Sequence, residues 1–389
     1  MKKILFIFTL AFITTSVNAN SLLIKNVDVY KSNGMEPNTN VLIKNGEIVA
    51  IGKRIYETAD RDIDGTGKSL TPGLFNSHTH IGAVEVSAIG PTVDYYSDND
   101  SVTAALKIAE AFNPNSTLIP HNRTHGLSHA LMIPESSTHL FSGQVALVQL
   151  GLNPRVIHDS LAMAADFTEH GFDLSGNSRA AALVELRQAL DDAKDFSRNK
   201  KAALAGDHRN YELSYADLAS LEPVVNGRKP LLVHTNRASD IRNILKLAKE
   251  FQLNLILSSV MEGWMVAEEI AAAGVPVIID PINNLPSSYE TLGARLDNAK
   301  LLSDAGVKLL FTNTSRSTSH NAYLVRQAAG NAVANGLDKI VAIAAMTSNP
   351  AQLFDAPVSG DIAVGEIADL VLWGGDPLEL TSEAELVMI

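Results

Sequence analysis

The sequence predicts an α/β protein in which a TIM-like (β/α)8 barrel carries a small β-sandwich formed by the N- and C-terminal segments. Three observations support this prediction: apolar strands alternate with helical stretches in the second half, both ends contain short β-rich runs, and the chain has 389 residues. A barrel of this class commonly takes about 250 residues as one domain. The length therefore fits one barrel and a small accessory domain.

The accessory domain is indicated first by β-rich runs and turns between Leu22 and Asp64. Two of these runs, 41–44 and 47–51, are separated by Asn45-Gly46, a strong signal for a two-residue hairpin. After Pro350 the chain becomes β-like again, with a strand over 368–373. We therefore assign residues 20–68 and 354–389 to the two parts of the sandwich, the second of them shortened, and residues 69–353 to the barrel.

Apolar runs bounded by helical stretches predict the barrel strands. In the second half these runs are 231–234, 253–257, 275–279 and 307–311, and in the first half they are 73–78, 127–133 and 145–150. Between two of the later strands, an amphipathic helix is predicted over 239–251 because its apolar residues share one face. The charged, Ala-rich stretch 178–201 is interpreted as an inserted surface helix or loop.

The first nineteen residues have the pattern of a signal peptide. Lys2 and Lys3 precede an apolar run of about ten residues, too short for a membrane span, and the stretch ends in Val17-Asn18-Ala19, which signal peptidase accepts. We expect cleavage after Ala19 and a periplasmic or secreted protein with no membrane partner.

Composition restricts the partners and the metal ligands. With the two Lys of the signal peptide removed, the basic count falls from 31 to 29 against 43 acidic residues, a net charge of −14. This charge disfavours nucleic acids as partners. The chain has no Cys, so nitrogen and oxygen donors must hold any metal. A homo-oligomer is left open.

His78 and His80 are the strongest chemical signal. Residues two apart in a strand point to the same face, which at the carboxyl end of a barrel strand opens into the active-site mouth. Two imidazoles there can hold one cation. At this His content a His-x-His pair arises by chance with a probability of roughly 0.3, so its surroundings must decide.

Those surroundings resemble the amidohydrolase superfamily. The residues that match its first-strand pattern are Asp64, Gly67, Lys68, Pro72, Gly73, Leu74, His78 and His80. Later matches are Leu232-Val233-His234, Thr347-Ser348-Asn349-Pro350-Ala351 and the run 365–373. Within the superfamily the chain is most similar to the imidazolonepropionase-like branch, through Phe141-Ser142-Gly143-Gln144, Ser319-His320-Asn321 and the run 329–333.

The resemblance implies a metal-dependent hydrolase that acts on carbon–nitrogen bonds, other than ordinary peptide bonds, of a small cyclic or linear amide. It implies His78, His80 and His234 as ligands of a divalent metal, with Zn as the first expectation and Fe, Mn or Ni as alternatives. The alternative to a ligand role for His234 is that of a buried, hydrogen-bonded histidine in the core. Two further functions stay open: a catalytically weak or inactive barrel that binds a metal or small ligand, and an exported dipeptidase-like amidohydrolase.

The sequence departs from the family at three barrel strands. Where a carboxylated Lys or a Glu is expected on the fourth strand, 145–150 offers only Gln149, which disfavours two metals. On the sixth strand Glu262 is the nearest ionisable residue to a missing His, and it could instead begin a helix. On the eighth strand Asn313 stands where the family has a metal-binding, proton-shuttling Asp.

His320, a few residues after the eighth strand, is the first candidate for proton transfer, and Glu262 is the second. A capping or substrate-contact role is the alternative for His320. We interpret the remaining cluster, which contains His121, His125, His129 and His139, as surface or loop histidines.

Overall fold

The computed structural model of the protein describes residues 21–283, 285–314 and 319–389. The predicted signal peptide, residues 1–19, lies outside them. None of the helices within these three ranges has the length and apolar character needed to cross a membrane.

The described residues form two sheets and a set of surrounding helices. In chain order the strands are β1 (Ser21–Lys31), β2 (Gly34–Lys44), β3 (Glu47–Gly52), β4 (Arg61–Asp64), β5 (Ser69–Pro72), β6 (Leu74–Thr79), β7 (Leu127–Met132), β8 (Phe141–Gln149), β9 (Arg155–Asp166), β10 (Leu231–Thr235), β11 (Leu255–Ser259), β12 (Val277–Ile279), β13 (Leu309–Phe311), β14 (Leu370–Trp373) and β15 (Ala384–Met388). The α-helices are α1 (Leu118–Thr124), α2 (Glu169–Leu174), α3 (Arg179–Ala205), α4 (Tyr215–Val225), α5 (Ala238–Phe251), α6 (Ala267–Ala272), α7 (Asn298–Asp304), α8 (Val325–Ala334), α9 (Lys339–Ala345) and α10 (Ser348–Leu353).

The two terminal segments share one seven-stranded sheet, in the order β15-β14-β5-β1-β2-β3, with β4 paired to β1. The predicted hairpin is present, since Lys44 pairs with Glu47 across the Asn45-Gly46 turn. Antiparallel pairing of β5 with β14 joins the N-terminal segment to the C-terminal one. The last N-terminal strand of this sheet, β5, is followed after one residue by the first barrel strand, β6.

The predicted barrel is confirmed as an eight-stranded sheet in the order β6 to β13. Its third strand, β8, departs from the regular pattern because it runs antiparallel to both β7 and β9. The predicted strand 145–150 overlaps the end of β8, so its assignment as the fourth barrel strand was wrong. The fourth strand is β9, and its carboxyl end is Asp166.

Buried side chains join the first barrel strand to the eighth. The Thr312 hydroxyl donates to Asn76 Oδ1 and to the His78 carbonyl, both at 2.9 Å. Asn76 Nδ2 donates in turn to Asn313 Oδ1 at 2.7 Å. Within the described ranges no backbone ladder pairs β6 with β13, so these contacts connect the two edges of the barrel sheet.

Two helices match stretches singled out in the sequence. The amphipathic stretch forms α5, which buries Ile241, Ile244 and Phe251 against the barrel. The charged stretch 178–201 forms most of α3, a 27-residue helix between the fourth and fifth barrel strands. At the start of this helix, Ser178 Oγ accepts a hydrogen bond from Ala181 N. The helix is half-buried, because a row of Ala and Leu side chains with Phe196 packs inward.

Candidate functional site

His78, His80 and His234 meet at the carboxyl ends of the first and fifth barrel strands. His78 lies in β6, where Asn76 Oδ1 accepts a hydrogen bond from its backbone N–H. The backbone N–H of His80, just beyond β6, donates to Ser319 Oγ at 3.0 Å. His234 lies in β10, in register with the ends of the two strands beside it. Each imidazole is thus held by backbone that is itself fixed.

The three rings form one group. The ring centre of His78 lies 5.0 Å from that of His234 and 5.7 Å from that of His80. The Tyr95 ring stacks on the His80 ring, with ring centres 3.9 Å apart and planes 10° from parallel. The structure therefore brings together the three histidines named from the sequence. Their role as metal ligands stays a prediction.

Burial keeps these imidazoles neutral. Desolvation lowers the pKa of His78 well below its usual value, and the neighbouring His234 and His80 add to the effect. Desolvation, followed by the charge of His234, lowers the pKa of His80 to about 3. Desolvation also lowers the pKa of His234, and the carboxylate of Asp166 acts in the opposite direction. A neutral imidazole has the lone pair that a metal ligand requires.

The donor set fits a divalent cation. Among the described residues, Nδ1 of His78 and Nε2 of His80 are buried without a hydrogen-bond partner, and unpaired buried polar atoms of this kind are costly. The ring centres of His234 and His80 lie 5.0 and 5.7 Å from that of His78, so the three imidazoles would be the residues that hold one cation. In the three described ranges no group of three or more His, Asp or Glu side chains is already arranged around one point, so binding would require the rings to turn.

Asp166 is the site residue that the sequence analysis missed. It ends the fourth barrel strand and is the register partner of His234. Its Oδ1 accepts hydrogen bonds from the backbone N–H and the hydroxyl of Thr168, at 2.9 and 2.6 Å. The feature of the sequence that indicates Asp166 is a carboxylate directly after the apolar run 161–165. Because β8 is the third barrel strand, the fourth strand is β9, which ends at Asp166 and not at Gln149.

Glu135 is a second carboxylate beside the cluster, after the second barrel strand. Its Oε1 lies 3.4 Å from Nε2 of His80, a distance without hydrogen-bond geometry. Desolvation raises the pKa of Glu135, and the charge of Asp166 raises it further while that of His170 lowers it. The mouth therefore gathers two carboxylates on the side of the second and fourth strands.

Glu262 has both carboxylate oxygens occupied by the backbone. Oε2 accepts from Ala238 N at 2.9 Å, at the start of α5, and Oε1 accepts from Gly293 N at 3.0 Å. The side chain is buried. Glu262 thus accepts a hydrogen bond at the start of α5 but, being buried, is not the solvated helix-start residue of the alternative interpretation. Within the described residues no hydrogen bond links it to the imidazoles. Its proposed part in proton transfer stays a prediction.

His320 is bound to a loop near the barrel mouth. Its Nε2 accepts a hydrogen bond from Ser87 N at 3.0 Å, in a short segment where Ser87 and Ala88 have positive φ. Its neighbours Ser319 and Asn321 contact the first and eighth strands, since Ser319 receives the His80 N–H and the Asn321 carbonyl receives Asn313 Nδ2. The Ser319-His320-Asn321 motif therefore braces the mouth, and catalysis by His320 remains a prediction.

One of the other histidines lies where it was not expected. His129 is not a surface or loop residue but is 1% exposed in β7. Its Nδ1 lies 2.9 Å from Ser128 Oγ and 3.3 Å from Asp369 Oδ2, and Ser128 Oγ donates to the same Asp369 oxygen at 2.8 Å. This Ser128–His129–Asp369 group joins the barrel to the sheet of the terminal segments. His121 is exposed, as predicted, whereas His125 and His139 are half-buried.

Comparisons with known proteins agree with this geometry. The sequence profile of the Amidohydrolase family matches residues 152–387. The chain belongs to the amidohydrolase family. The structure of an amidohydrolase from Thermotoga maritima MSB8 superimposes with a TM-score of 0.83 over 95% of this chain and 98% of that one, at 23% identity, which supports the fold.

Curated relatives match more narrowly. A 5-methylthioadenosine/S-adenosylhomocysteine deaminase from Thermoanaerobacter pseudethanolicus is 46% identical over 66 residues, which are 16% of this chain and 15% of that protein. Amidohydrolase tasK from Hapsidospora irregularis is 20% identical over 87% of this chain, but over only 38% of its own length. The chain thus spans well under half of these relatives. Membership of the imidazolonepropionase-like branch stays a prediction.

Proposed function

We propose that this protein is a metal-dependent hydrolase of a carbon–nitrogen bond in a small amide. The observation that carries the proposal is the group of three desolvated, neutral imidazoles at the carboxyl ends of the first and fifth barrel strands, two of them with an unpaired nitrogen. Active sites of this barrel class lie at that end of the sheet. Family membership supports the same reaction class.

The residues have separate roles in this proposal. His78, His80 and His234 hold the cation, for which Zn is the first candidate and Fe, Mn or Ni are alternatives. When bound, such a cation polarises a carbonyl and lowers the pKa of water towards neutrality. Asp166 Oδ2 accepts the proton lost by the attacking water, because Oδ1 is already held by Thr168. Asp166 then protonates the leaving nitrogen.

Asn313 is the observation that favours a second candidate, a barrel that binds a metal or small ligand with weak turnover or none. Its amide cannot accept a proton as a carboxylate can, and it is occupied by Asn76 and Asn321. The two candidates share their ligands. They differ in whether Asp166 supplies the base that the eighth strand lacks.

Metal analysis and a hydrolysis panel separate the candidates. The purified full chain is analysed for bound metal, then assayed on linear amides, cyclic amides and dipeptides with and without a chelator. The first candidate predicts near one metal per chain and chelator-sensitive hydrolysis. Bound metal without such activity across the panel would support the second candidate and exclude the first.

Single variants test the ligands independently of turnover. His78→Ala and His234→Ala are expected to lose the metal. His158→Ala is expected to keep it, because His158 lies near the amino end of β9, where its ring contacts the Asp355 carbonyl. Unchanged metal content in the first two variants would refute the ligand assignment.

We also propose that the protein is exported, on the basis of the N-terminal pattern. Mass spectrometry of the protein recovered from its producing cell should find a chain that begins at Asn20. A chain that retains residues 1–19 in the cytoplasmic fraction would refute export.

A further inference from the structure

A polar cavity lies beside the imidazole group, at the carboxyl ends of barrel strands five to eight. It has a volume of about 140 Å³. Its described lining consists almost entirely of hydroxyl, amide and carboxyl side chains, with Met261 as the one apolar residue. Two of the lining residues connect the cavity to the histidines. Asn236 follows His234 by two residues, and the Thr312 hydroxyl donates a hydrogen bond to the His78 carbonyl.

Two carboxylates face this cavity. Asp280 follows the seventh barrel strand and is 8% exposed, and Glu290 lies in the lining segment 287–291 and is 5% exposed. No Lys, Arg or His is among the described residues that line the cavity. Taking a carboxylate out of water is costly unless a cation or good hydrogen bonds compensate it.

Only neutral groups compensate these two carboxylates within the described part of the chain. Asp280 accepts hydrogen bonds from the backbone of Ile282 and Thr314 and from the Thr314 hydroxyl. Glu290 accepts from Asn236 Nδ2 and from Glu169 N, both at 2.8 Å. Desolvation accordingly raises the pKa of each carboxyl above its usual value.

Buried acids elsewhere in the protein are compensated in two ways. Asp240 is paired with Arg179 at 3.0 Å, and Asp192 with Arg209 at 2.7 Å, whereas Asp217 is held only by neutral donors. Asp280 and Glu290 differ from Asp217 because they line one polar cavity together. A cation bound in that cavity could therefore approach both carboxylates.

An unpaired acceptor gives an independent indication of what binds. Asn236 lines the cavity, and its buried Oδ1 has no hydrogen-bond partner among the described residues, although the Nδ2 of the same amide donates to Glu290. A buried acceptor left unpaired requires a donor. The residues that line the cavity therefore include two carboxylates and one amide with an unpaired oxygen, a set that suits a group with several N–H donors and a positive charge.

We propose that this cavity is the substrate subsite for an ammonium or guanidinium group, so that the hydrolase acts on small amides that carry a cation near the scissile bond. This inference rests on the proposed function for its meaning as a substrate subsite, but the binding of the cation does not depend on turnover. It excludes phosphate- and carboxylate-bearing substrates, because two buried carboxylates repel an anion.

Direct binding tests the subsite without catalysis. Calorimetry at neutral pH compares n-butylammonium, butyramide and butyrate, which match in length and differ in charge, on the purified full chain. Butylammonium is expected to bind at least about tenfold more tightly than butyramide, and butyrate is expected not to bind. Equal binding of all three, or no binding of butylammonium, would overturn the proposal.

Variants assign the binding to this cavity. Asp280→Asn and Glu290→Gln should each weaken the binding of butylammonium about tenfold or more, whereas Glu268→Gln, at an exposed position of α6, should leave it unchanged. Melting curves confirm that each variant is folded. Undiminished binding in both folded cavity variants would overturn the proposal.

The same series is repeated with Arg316→Gln, because Arg316 follows Thr314 by two positions and lies outside the described residues. Binding of butylammonium that occurs only in this variant would show that the chain supplies its own cation, which would also overturn the proposal.

Turnover then separates the two proposals. The amides 4-aminobutanamide, pentanamide and succinamate are close in shape and carry a positive, zero and negative charge. The subsite predicts the highest kcat/KM for the first. The ratio of kcat/KM for 4-aminobutanamide to that for pentanamide should fall in Asp280→Asn and stay unchanged in Glu268→Gln. Selective butylammonium binding without hydrolysis of any amide would refute the proposed function alone, and hydrolysis without charge preference would refute the subsite alone.

Discussion

Asn76 and Asn313 are hydrogen-bonded to each other at 2.7 Å in the buried interior, across the line where the first and eighth strands of the barrel meet. Asn313 is only 3% exposed, and its Nδ2 donates to the Asn321 carbonyl at 3.1 Å. One amide therefore serves as both acceptor and donor. The position at which related proteins carry a catalytic Asp is here part of the barrel closure.

Asn313→Asp should reduce stability. The new carboxylate can still accept from Asn76, but its second oxygen would face the Asn321 carbonyl, and the donated hydrogen bond would be lost. Loss of a buried partner of this kind costs about 1–3 kcal/mol. The free energy of unfolding in urea measures the change.

The control for that experiment is Asn254→Asp, the same substitution at an exposed position. It should alter the free energy of unfolding by less than about 0.5 kcal/mol. If Asn313→Asp were as stable as the unchanged protein, the closure role assigned to this amide would be wrong.

Asp166→Asn should abolish most of the turnover while the metal is kept. The substitution preserves an Oδ1 that can accept from Thr168, but it removes the proton acceptor, and general-base catalysis typically contributes about 10²- to 10⁴-fold in rate. We expect kcat to fall by about that factor. Parallel metal analysis completes the measurement.

Asp173→Asn is the matched control, because Asp173 is exposed in α2; it should retain both activity and metal. A loss of metal from Asp166→Asn would instead identify Asp166 as a ligand and contradict its assignment as the base.

The parts predicted from the sequence are those set by local chemistry. The Asn45-Gly46 turn needs no distant contact to form its hairpin, and Lys44 does pair with Glu47. The apolar face of the stretch 239–251 likewise predicts α5 within one residue of its observed start. The His78–His80 pair depends only on strand periodicity and on its flanking motif.

The parts that were missed depend on strand direction and tertiary pairing. Periodicity within 145–150 indicates a strand but cannot say whether it runs parallel or antiparallel to its neighbours. Because β8 runs antiparallel, its carboxyl end with Gln149 lies away from the mouth, and Asp166 takes the place at the site. The burial of His129 follows equally from a contact across 241 residues, between Ser128 and Asp369.

Gly73→Ala should destabilise the junction between the two sheets. A Cβ at this position would lie 2.3 Å from Ser128 Oγ and 2.4 Å from Asp369 Oδ1, so the buried Ser128–His129–Asp369 group would have to separate. Overpacking of this kind costs about 1–3 kcal/mol. Chemical unfolding is the measurement, and Gly52→Ala, where a Cβ meets no atom within 4 Å, is the control. Equal stabilities of the two variants would contradict the close packing at Gly73.

Tyr211 should make a contribution to stability that disappears at high pH. Its hydroxyl donates to Asp195 Oδ2 at 3.0 Å, and desolvation together with this hydrogen bond raises the pKa of Tyr211 to about 12. A raised pKa means that the folded state holds the proton more tightly than the unfolded state, in which the pKa of tyrosine is about 10.

The stability that Tyr211 contributes is therefore complete below pH 10 and is lost as the pH rises towards 12. The difference in unfolding free energy between the unchanged protein and Tyr211→Phe should be constant from about pH 7 to pH 9 and should shrink above pH 10. Tyr56→Phe removes a hydroxyl from a ring that is 88% exposed and serves as the control. A Tyr211→Phe difference that grows above pH 10 would contradict the sign of the shift, because it would mean that the ionised tyrosine is the form the fold prefers.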